Sequence, residues 1–362
     1  FNTLNTNHSL FIEVWKYIYI LNQIHITMFK RFYSSTPITV IKGDHSALSS
    51  KLSKQLDTLI SKKQLPLTVK LVENDNEKII ESLKETKTGL KLTPLNYNQS
   101  ISINRDLKLN GKLTFFKSKG IPSDKFQNLD FTILQDTYQT EFSQQEHELV
   151  SGTDKLTELL KVSNRQNFES LHNFIFNYAK TQKPDNYKDS KITVVHKANI
   201  MKKGDGLLKN TFAEVAAKKY PELADKANAI IVDNCSMQLV CKPEQFEYMV
   251  TTSLYGTILN NIGAAMVGSD KLINAVAFNS DDVALKNITI HEPAVNHNEL
   301  IKEGEDYNPY ILVKSVADIL IKSGHEQKGK ELAEKVESLL KSGKLTTDIG
   351  GSLTSDEFIN LL

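Results

Sequence analysis

Two spacings of apolar residues alternate along the chain. Short apolar runs at residues 38–41, 67–72, 131–134, 191–195 and 229–232 have the length and β-branched content of buried strands. Longer stretches at 47–60, 77–84, 168–180, 207–219, 311–323 and 330–341 carry apolar residues near the helical period. Residues 156–160 and 245–249 also read as helical, the second leading into an apolar turn that ends at Tyr255-Gly256. Ser46 stands where a helix N-cap is expected, and Gly204-Asp205-Gly206 opens the helix that follows it. The aromatic stripe of Phe168, Phe174, Phe176 and Tyr178 reads as core. Residues 84–91 and 181–191 are polar and read as solvated. Strands alternating with helices predict an α/β fold with a mainly parallel sheet.

Composition narrows the classes. Across 362 residues, 44 Lys+Arg face 43 Asp+Glu, a net charge of +1. That balance, with no interleaving of basic and aromatic residues, gives no support to an RNA-binding scaffold. The 40% apolar and 24% charged content is that of an ordinary globular protein. A chain of this length buries roughly three quarters of its unfolded surface, in one large domain or two. Two cysteines, Cys235 and Cys241, make no disulfide framework and read as reduced thiols. No apolar run reaches the ~18 residues of a spanning helix.

Residues 1–36 are set apart as an N-terminal extension. From Met28 the chain reads Met-Phe-Lys-Arg-Phe-Tyr-Ser-Ser-Thr, basic, hydroxyl-rich and free of acids, as in a short mitochondrial targeting peptide; a disordered basic terminus is the alternative. Residues 1–27 read as sequence ahead of a start at Met28, with a weak signal anchor as the alternative.

Four segments carry a resemblance. They are Thr193-Val-Val-His-Lys-Ala-Asn-Ile-Met-Lys202 before Gly204-Asp205-Gly206; Ile231-Val-Asp-Asn-Cys-Ser-Met-Gln-Leu-Val240 before Lys242-Pro243-Glu244-Gln245-Phe246; Leu254-Tyr-Gly-Thr-Ile-Leu-Asn-Asn-Ile-Gly-Ala-Ala265; and Thr346-Thr-Asp-Ile-Gly-Gly-Ser352. In this order they resemble the β-decarboxylating 2-hydroxyacid dehydrogenases, the isocitrate/isopropylmalate dehydrogenase family. Within it the chain is similar to the regulatory, non-catalytic subunits of mitochondrial NAD-dependent isocitrate dehydrogenase. The resemblance covers residue 38 to the C-terminus. It implies a two-domain α/β subunit over 37–362: a large subdomain from both chain ends, and a smaller, dimer-forming one at roughly 135–265. It also implies a catalytic isocitrate dehydrogenase subunit as hetero-oligomeric partner, isocitrate as substrate, and the mitochondrial matrix as location.

The family's chemistry needs a hydride acceptor, cations for a polyanionic substrate, a divalent ion to polarise a carbonyl, and positioned proton donors and acceptors. The resemblance places Lys197 at the catalytic lysine, and Phe142 where active members have a tyrosine. A phenyl ring has no proton to give. The two metal-binding aspartates, four residues apart on one helical face, are replaced by Thr257 and Asn261; only Asp233 of the metal set remains. Three substrate-binding arginines correspond to Asn104, Thr114 and Gln135, with Arg105 one step from register. The glycine-rich nucleotide loop is reduced to Gly43-Asp44-His45-Ser46-Ala47. Glu292, His297 and Asn308 stand where members bind the adenine half of NAD, or AMP in regulatory subunits; a solvated loop is the plain alternative for this stretch. NAD and Mg²⁺ or Mn²⁺ are therefore expected mainly on the catalytic partner. Lys197 and Asp233 are expected to complete the partner's shared site. The alternative is an active dehydrogenase that uses unusual residues such as Tyr138 and Arg105.

Overall fold

The computed structural model describes residues 35–122, 124–150, 155–295 and 307–362. The N-terminal half of the fold follows the expected alternation: β1 (Thr36–Ile41), α1 (Ser46–Lys63), β2 (Leu67–Val72), α2 (Asn76–Thr86), β3 (Thr88–Lys91) and α3 (Tyr97–Asp106). Two strands, β4 (Gly111–Lys117) and β5 (Asp130–Asp136), then run into a hairpin, β6 (Thr140–Val150) and β7 (Leu156–Val162). The middle of the chain holds α4 (Arg165–Gln182), β8 (Ile192–His196), α5 (Gly204–Lys219), β9 (Ala227–Ile231), α6 (Val232–Cys241), β10 (Tyr248–Thr251) and α7 (Ser253–Val267). The C-terminal part adds β11 (Asn274–Phe278), β12 (Thr289–Pro293), α8 (Tyr310–Lys322), α9 (Glu326–Lys341) and α10 (Ser355–Leu361). No helix among the described residues is long and apolar enough to cross a membrane.

Ten strands form one sheet in the order β2-β1-β3-β12-β11-β4-β5-β10-β8-β9. Its two flanks are parallel. Its centre, β12-β11-β4-β5, is antiparallel. Most of the apolar side chains are buried between this sheet and the helices on it, with Phe116, Phe131, Tyr310 and Phe358 among the largest that are fully enclosed. The aromatic stripe of α4 lies in a second cluster, where Phe176 stacks on Tyr220 with ring centroids 4.9 Å apart.

Four local expectations are overturned. Residues 156–160 are strand β7, held antiparallel to β6 in a separate two-stranded sheet, with Leu159 70% exposed. Cross-strand pairing with β6 decides their conformation, and a five-residue apolar run carries too little period to show it. Residues 243–251 are a 3₁₀ turn and strand β10, which is buried between β5 and β8. Residues 88–91 are not solvated: β3 is buried throughout, paired with β1 and β12. Ser46 is the first residue of α1 and not its cap; His45 takes the cap position without a side-chain bond. At α2 and α10 the caps follow the expected chemistry. The Asp75 carboxylate accepts the backbone N–H of Lys78, and Thr354 with Glu357 forms a reciprocal capping box.

Candidate functional site

A small cleft of about 60 Å³ opens where β3, β4, β5 and β12 meet α3 and α7. It brings together Asn104, Gln135, Phe142, Thr257, Asn261 and Glu292, residues drawn from across nearly 190 positions of chain. Thr114 lies fully buried in β4 and does not line the cleft. Arg105 is exposed, and neither it nor Tyr138 is among the lining residues. His297 lies outside the described residues.

Neutral groups bond to one another in this cleft, although the side-chain oxygens of Asn104 and Asn260 are left without a hydrogen-bond partner among the described residues. Asn260 Nδ2 donates to Gln135 Oε1 at 2.5 Å, and Gln135 Nε2 donates to the Ser253 carbonyl at 3.3 Å. Asn261 Nδ2 donates to the Thr257 carbonyl at 2.9 Å, and Thr257 Oγ1 donates to the Ser253 carbonyl at 3.1 Å. Gln135 packs so tightly on α7 that a Cβ on Gly256 would meet its Cβ at 2.4 Å; only glycine permits that approach. Phe142 is fixed by its backbone N–H donating to Ser253 Oγ at 3.2 Å, and its ring meets the edge of Tyr97.

The charged floor was not anticipated from the sequence. Glu292 Oε2 accepts from Lys91 Nζ at 2.5 Å, and Lys112 Nζ stands 3.9 Å from the other carboxylate oxygen. All three are largely buried. Burial pushes the Glu292 carboxyl up, but Lys91 and Lys112 outweigh it and hold the group below the usual glutamate range. Burial pushes the Lys112 ammonium down. Among the described residues Glu292 is the one carboxylate lining the cleft, and it is already committed to two lysines. A hard divalent ion wants several free oxygen ligands. The described lining of the cleft does not fit one, and no cluster of three or more metal-ligating acids, histidines or cysteines occurs among the described residues.

Two of the three adenine-side positions, Glu292 and Asn308, are engaged in internal bonds. Glu292 sits in β12, not in a solvated loop. Asn308 is fully buried; its Nδ2 donates to Thr346 Oγ1 at 2.7 Å and its Oδ1 accepts the backbone N–H of Tyr310 at 2.8 Å, opening α8.

Lys197 and Asp233 do not face this cleft. They meet each other outside it, Lys197 Nζ to Asp233 Oδ1 at 2.6 Å, with side chains 25% and 68% exposed. The Lys197 hydrogen bond and the N-terminal N–H groups of α6 hold the Asp233 carboxyl below its ordinary value. The backbone beneath is pinned: Lys197 N–H donates to Asp205 Oδ2 at 2.6 Å. Asp205 is fully buried and also accepts from Lys161, which reaches Glu141 at 2.7 Å. Glu141 in turn accepts from Ser253 Oγ and the Leu254 N–H. This Glu141–Lys161–Asp205 set ties the hairpin to α5 and α7, and the Gly-Asp-Gly segment was its only legible trace.

Asp136 closes the turn from β5 into β6 by accepting from Thr140 Oγ1 at 2.9 Å. It is fully buried, and desolvation pushes its carboxyl up to about 6. The folded state therefore holds this proton more tightly than the unfolded chain, whose value is near 3.8. The sign follows: the stabilising contribution is complete below pH 3.8 and is lost as pH rises through 6. The loss is about 3 kcal/mol at neutral pH. In Asp136→Asn, urea midpoints between pH 4 and 7 are expected to lack this downward slope; an unchanged slope would assign it to another group.

Close to Lys197 and Asp233 in sequence, and also on α7 and the hairpin, the molecule presents apolar side chains to solvent. Ile200 is 69% exposed; Met237 and Val240 on α6, Leu254 and Ile258 on α7, and Leu149, Leu156, Leu159 and Leu160 on the hairpin are all exposed. Single exposed apolar residues are ordinary, but this concentration on one hairpin and two helices is the composition of an interaction surface.

Comparison with known proteins places these features in a family. Residues 109–362 match the isocitrate/isopropylmalate dehydrogenase family. The chain is 33% identical over 355 residues to the mitochondrial NAD isocitrate dehydrogenase subunit 1 of Saccharomyces cerevisiae, covering 93% of both. It is 31% identical over 350 residues to the human mitochondrial beta subunit of NAD isocitrate dehydrogenase, covering 91% of this chain and 86% of that one. It is 30% identical to a mitochondrial regulatory subunit of NAD isocitrate dehydrogenase from Dictyostelium discoideum, covering 89% and 88%. In fold it is similar to the crystal structure of isocitrate dehydrogenase from Methylococcus capsulatus, with a TM-score of 0.78 at 21% identity over 90% of this chain and 97% of the other. The chain belongs to the isocitrate/isopropylmalate dehydrogenase family.

Proposed function

We propose that this chain is a regulatory, non-catalytic subunit of a hetero-oligomeric NAD-dependent isocitrate dehydrogenase of the mitochondrial matrix, and that it completes the site of a catalytic partner. The complex would convert isocitrate and NAD to 2-oxoglutarate, CO₂ and NADH. The observation that carries this reading is a division of the site residues. The cleft of this chain holds neutral, mutually bonded Gln135, Thr257, Asn260 and Asn261. Lys197 and Asp233 are retained, stand outside that cleft and are open to solvent. The yeast, human and Dictyostelium relatives, named as subunit 1, beta and regulatory subunits, support the same assignment.

In the assembly the Lys197–Asp233 pair would part. The lysine Nζ would exchange a proton at the partner's bound substrate, and the Asp233 carboxylate would add negative charge beside the partner's ion. NAD and Mg²⁺ or Mn²⁺ belong to the catalytic partner in this reading; the ion polarises the substrate carbonyl there. The alternative, a self-sufficient dehydrogenase using Tyr138 and Arg105, is disfavoured because neither residue lines the cleft.

The decisive experiment is isocitrate-dependent NADH formation with Mg²⁺, first by the chain alone and then mixed with a catalytic subunit. Silence alone with a rise on mixing is expected; turnover by the chain alone at ordinary enzyme rates would overturn the proposal. The exposed apolar set is the expected docking face. Ile258→Asp with Met237→Asp buries two charges at such a face and is expected to leave the chain folded while abolishing co-elution with the partner. Undiminished co-elution would place the contact elsewhere.

A further inference from the structure

The antiparallel centre of the sheet has two working faces. Neighbouring residues on a strand point to opposite sides. Glu292 points into the small cleft with Lys91 and Lys112, and His291 points the other way, into a second cavity of about 770 Å³. This cavity is more than ten times as roomy as the cleft. It is bounded by β4, β5, β11 and β12, by α8 and α9, by Tyr178 of α4 and by residues 284–286.

Its lining combines an apolar floor with unspent polar groups. Leu113, Val276 and His291 form one row across three strands, because Val276 is the register partner of both others. Phe115 and Leu285 extend the apolar surface. His291 is only 4% exposed, yet neither ring nitrogen has a hydrogen-bond partner among the described residues. A buried imidazole with an idle donor and an idle acceptor is unusual in a native fold. Beside it stands Lys322. Its ammonium donates to the Thr289 hydroxyl at 2.6 Å and the Asn287 carbonyl at 3.1 Å, both neutral, and it forms no ion pair among the described residues. Burial pushes this ammonium down to about 8, with Asp282 the acid that opposes the shift, so it remains a cation at neutral pH. Of the other cations on the wall, Lys119 is matched by Glu337, Lys314 by Asp318 and Lys117 by Asp130, while Lys286, on the loop at the rim, forms no ion pair among the described residues.

We propose that this rear cavity binds an amphipathic monocarboxylate, an acyl or aryl acid, with its carboxylate at Lys322 and His291 and its apolar body along Leu113, Val276, Phe115 and Leu285. The lysine supplies the opposite charge and the neutral imidazole supplies one N–H. The apolar row supplies the contact area that a small inorganic anion could not use. The cavity lies within the size range of small-molecule sites. It shares strands with the cleft but none of its lining residues. The site is independent of the proposed assembly role, since it concerns the opposite face of the sheet from Glu292.

Octanoate is the probe, titrated calorimetrically into the full chain at pH 7, with octanol and inorganic phosphate as controls. One saturable octanoate site per chain is expected. Lys322→Met should weaken it at least tenfold, and Leu285→Trp, which blocks the apolar side and leaves Lys322 intact, should weaken it comparably. Thermal melts of both variants establish that they are folded, and should either fail to fold, the other carries the test. Octanol binding as tightly as octanoate, phosphate binding as tightly as octanoate, indifference of the folded variants, or no octanoate binding at all would each overturn the proposal.

Discussion

Replacing Lys197 by alanine is expected to lower NADH formation by the mixed complex by about 100-fold, the lower end of what a positioned proton-transfer group contributes. The melting temperature of the isolated chain should hardly move. The lysine's ion pair with Asp233 is solvent-exposed, and pairs of that kind contribute little to stability. Its backbone N–H, which donates to Asp205, is unaffected by truncating the side chain. Asp233→Ala should also depress the complex. There the loss should appear in the metal concentration needed for half-maximal rate, because a carboxylate is removed beside an ion. A structural role alone would lower both rates by lowering the amount of complex, which co-elution measures separately. If both variants assemble and the mixed complex keeps full activity, the shared-site reading fails even though the family assignment stands.

Breaking the buried Lys91–Glu292 pair is expected to be the most damaging single change to stability. The two side chains are 2% and 9% exposed. Glu292→Ala would leave Lys91 charged, buried and without its carboxylate, a loss of about 3–5 kcal/mol. For a chain of this size that corresponds to a fall in melting temperature of about 5 °C. The triple variant Lys91→Met, Lys112→Met, Glu292→Leu removes all three charges and should recover most of the loss, since packed apolar side chains of similar volume are often as stable as buried ion pairs. The pH dependence has the opposite sign to that of Asp136. The Glu292 carboxyl lies below its unfolded value of 4.5, so its contribution is present above that pH and is lost as the pH falls through the folded value. A Glu292→Ala variant that melts with the parent chain would mean that solvent entering the vacated space already satisfies Lys91.

These two pairs also mark how far the chain could be read by itself. Lys197 and Asp233 were legible because each sits in a dense local motif, His-Lys-Ala-Asn and Val-Asp-Asn-Cys. Phe142, Thr257 and Asn261 were singled out as substitutions within such motifs, and the structure brings all three to one cleft. Lys91 and Lys112 were not. Lys91 ends the short strand β3 within a stretch of apparently solvated polar residues, and its partner lies 201 positions further along. Nothing local distinguishes a lysine bound for a buried ion pair from one bound for water. Glu292 was set among candidate nucleotide-site residues, while the opposite outlooks of Glu292 and His291 onto two cavities depend on which way each side chain leaves the sheet.

By itself, the sequence determined the α/β class, most of the helices and outer strands, and the family. Those are set by local periodicity, capping and contiguous motifs, all of which are written within a few turns or strands of chain. Tertiary structure alone decided that residues 156–160 pair as a strand, that residues 88–91 are buried, and that the centre of the sheet runs antiparallel. It also decided that the charged floor of the cleft and the idle polar groups of the rear cavity lie on opposite faces of the same strands. Each of these depends on pairing between segments far apart in the chain. The free energy of such pairing belongs to both partners and is encoded in neither one alone.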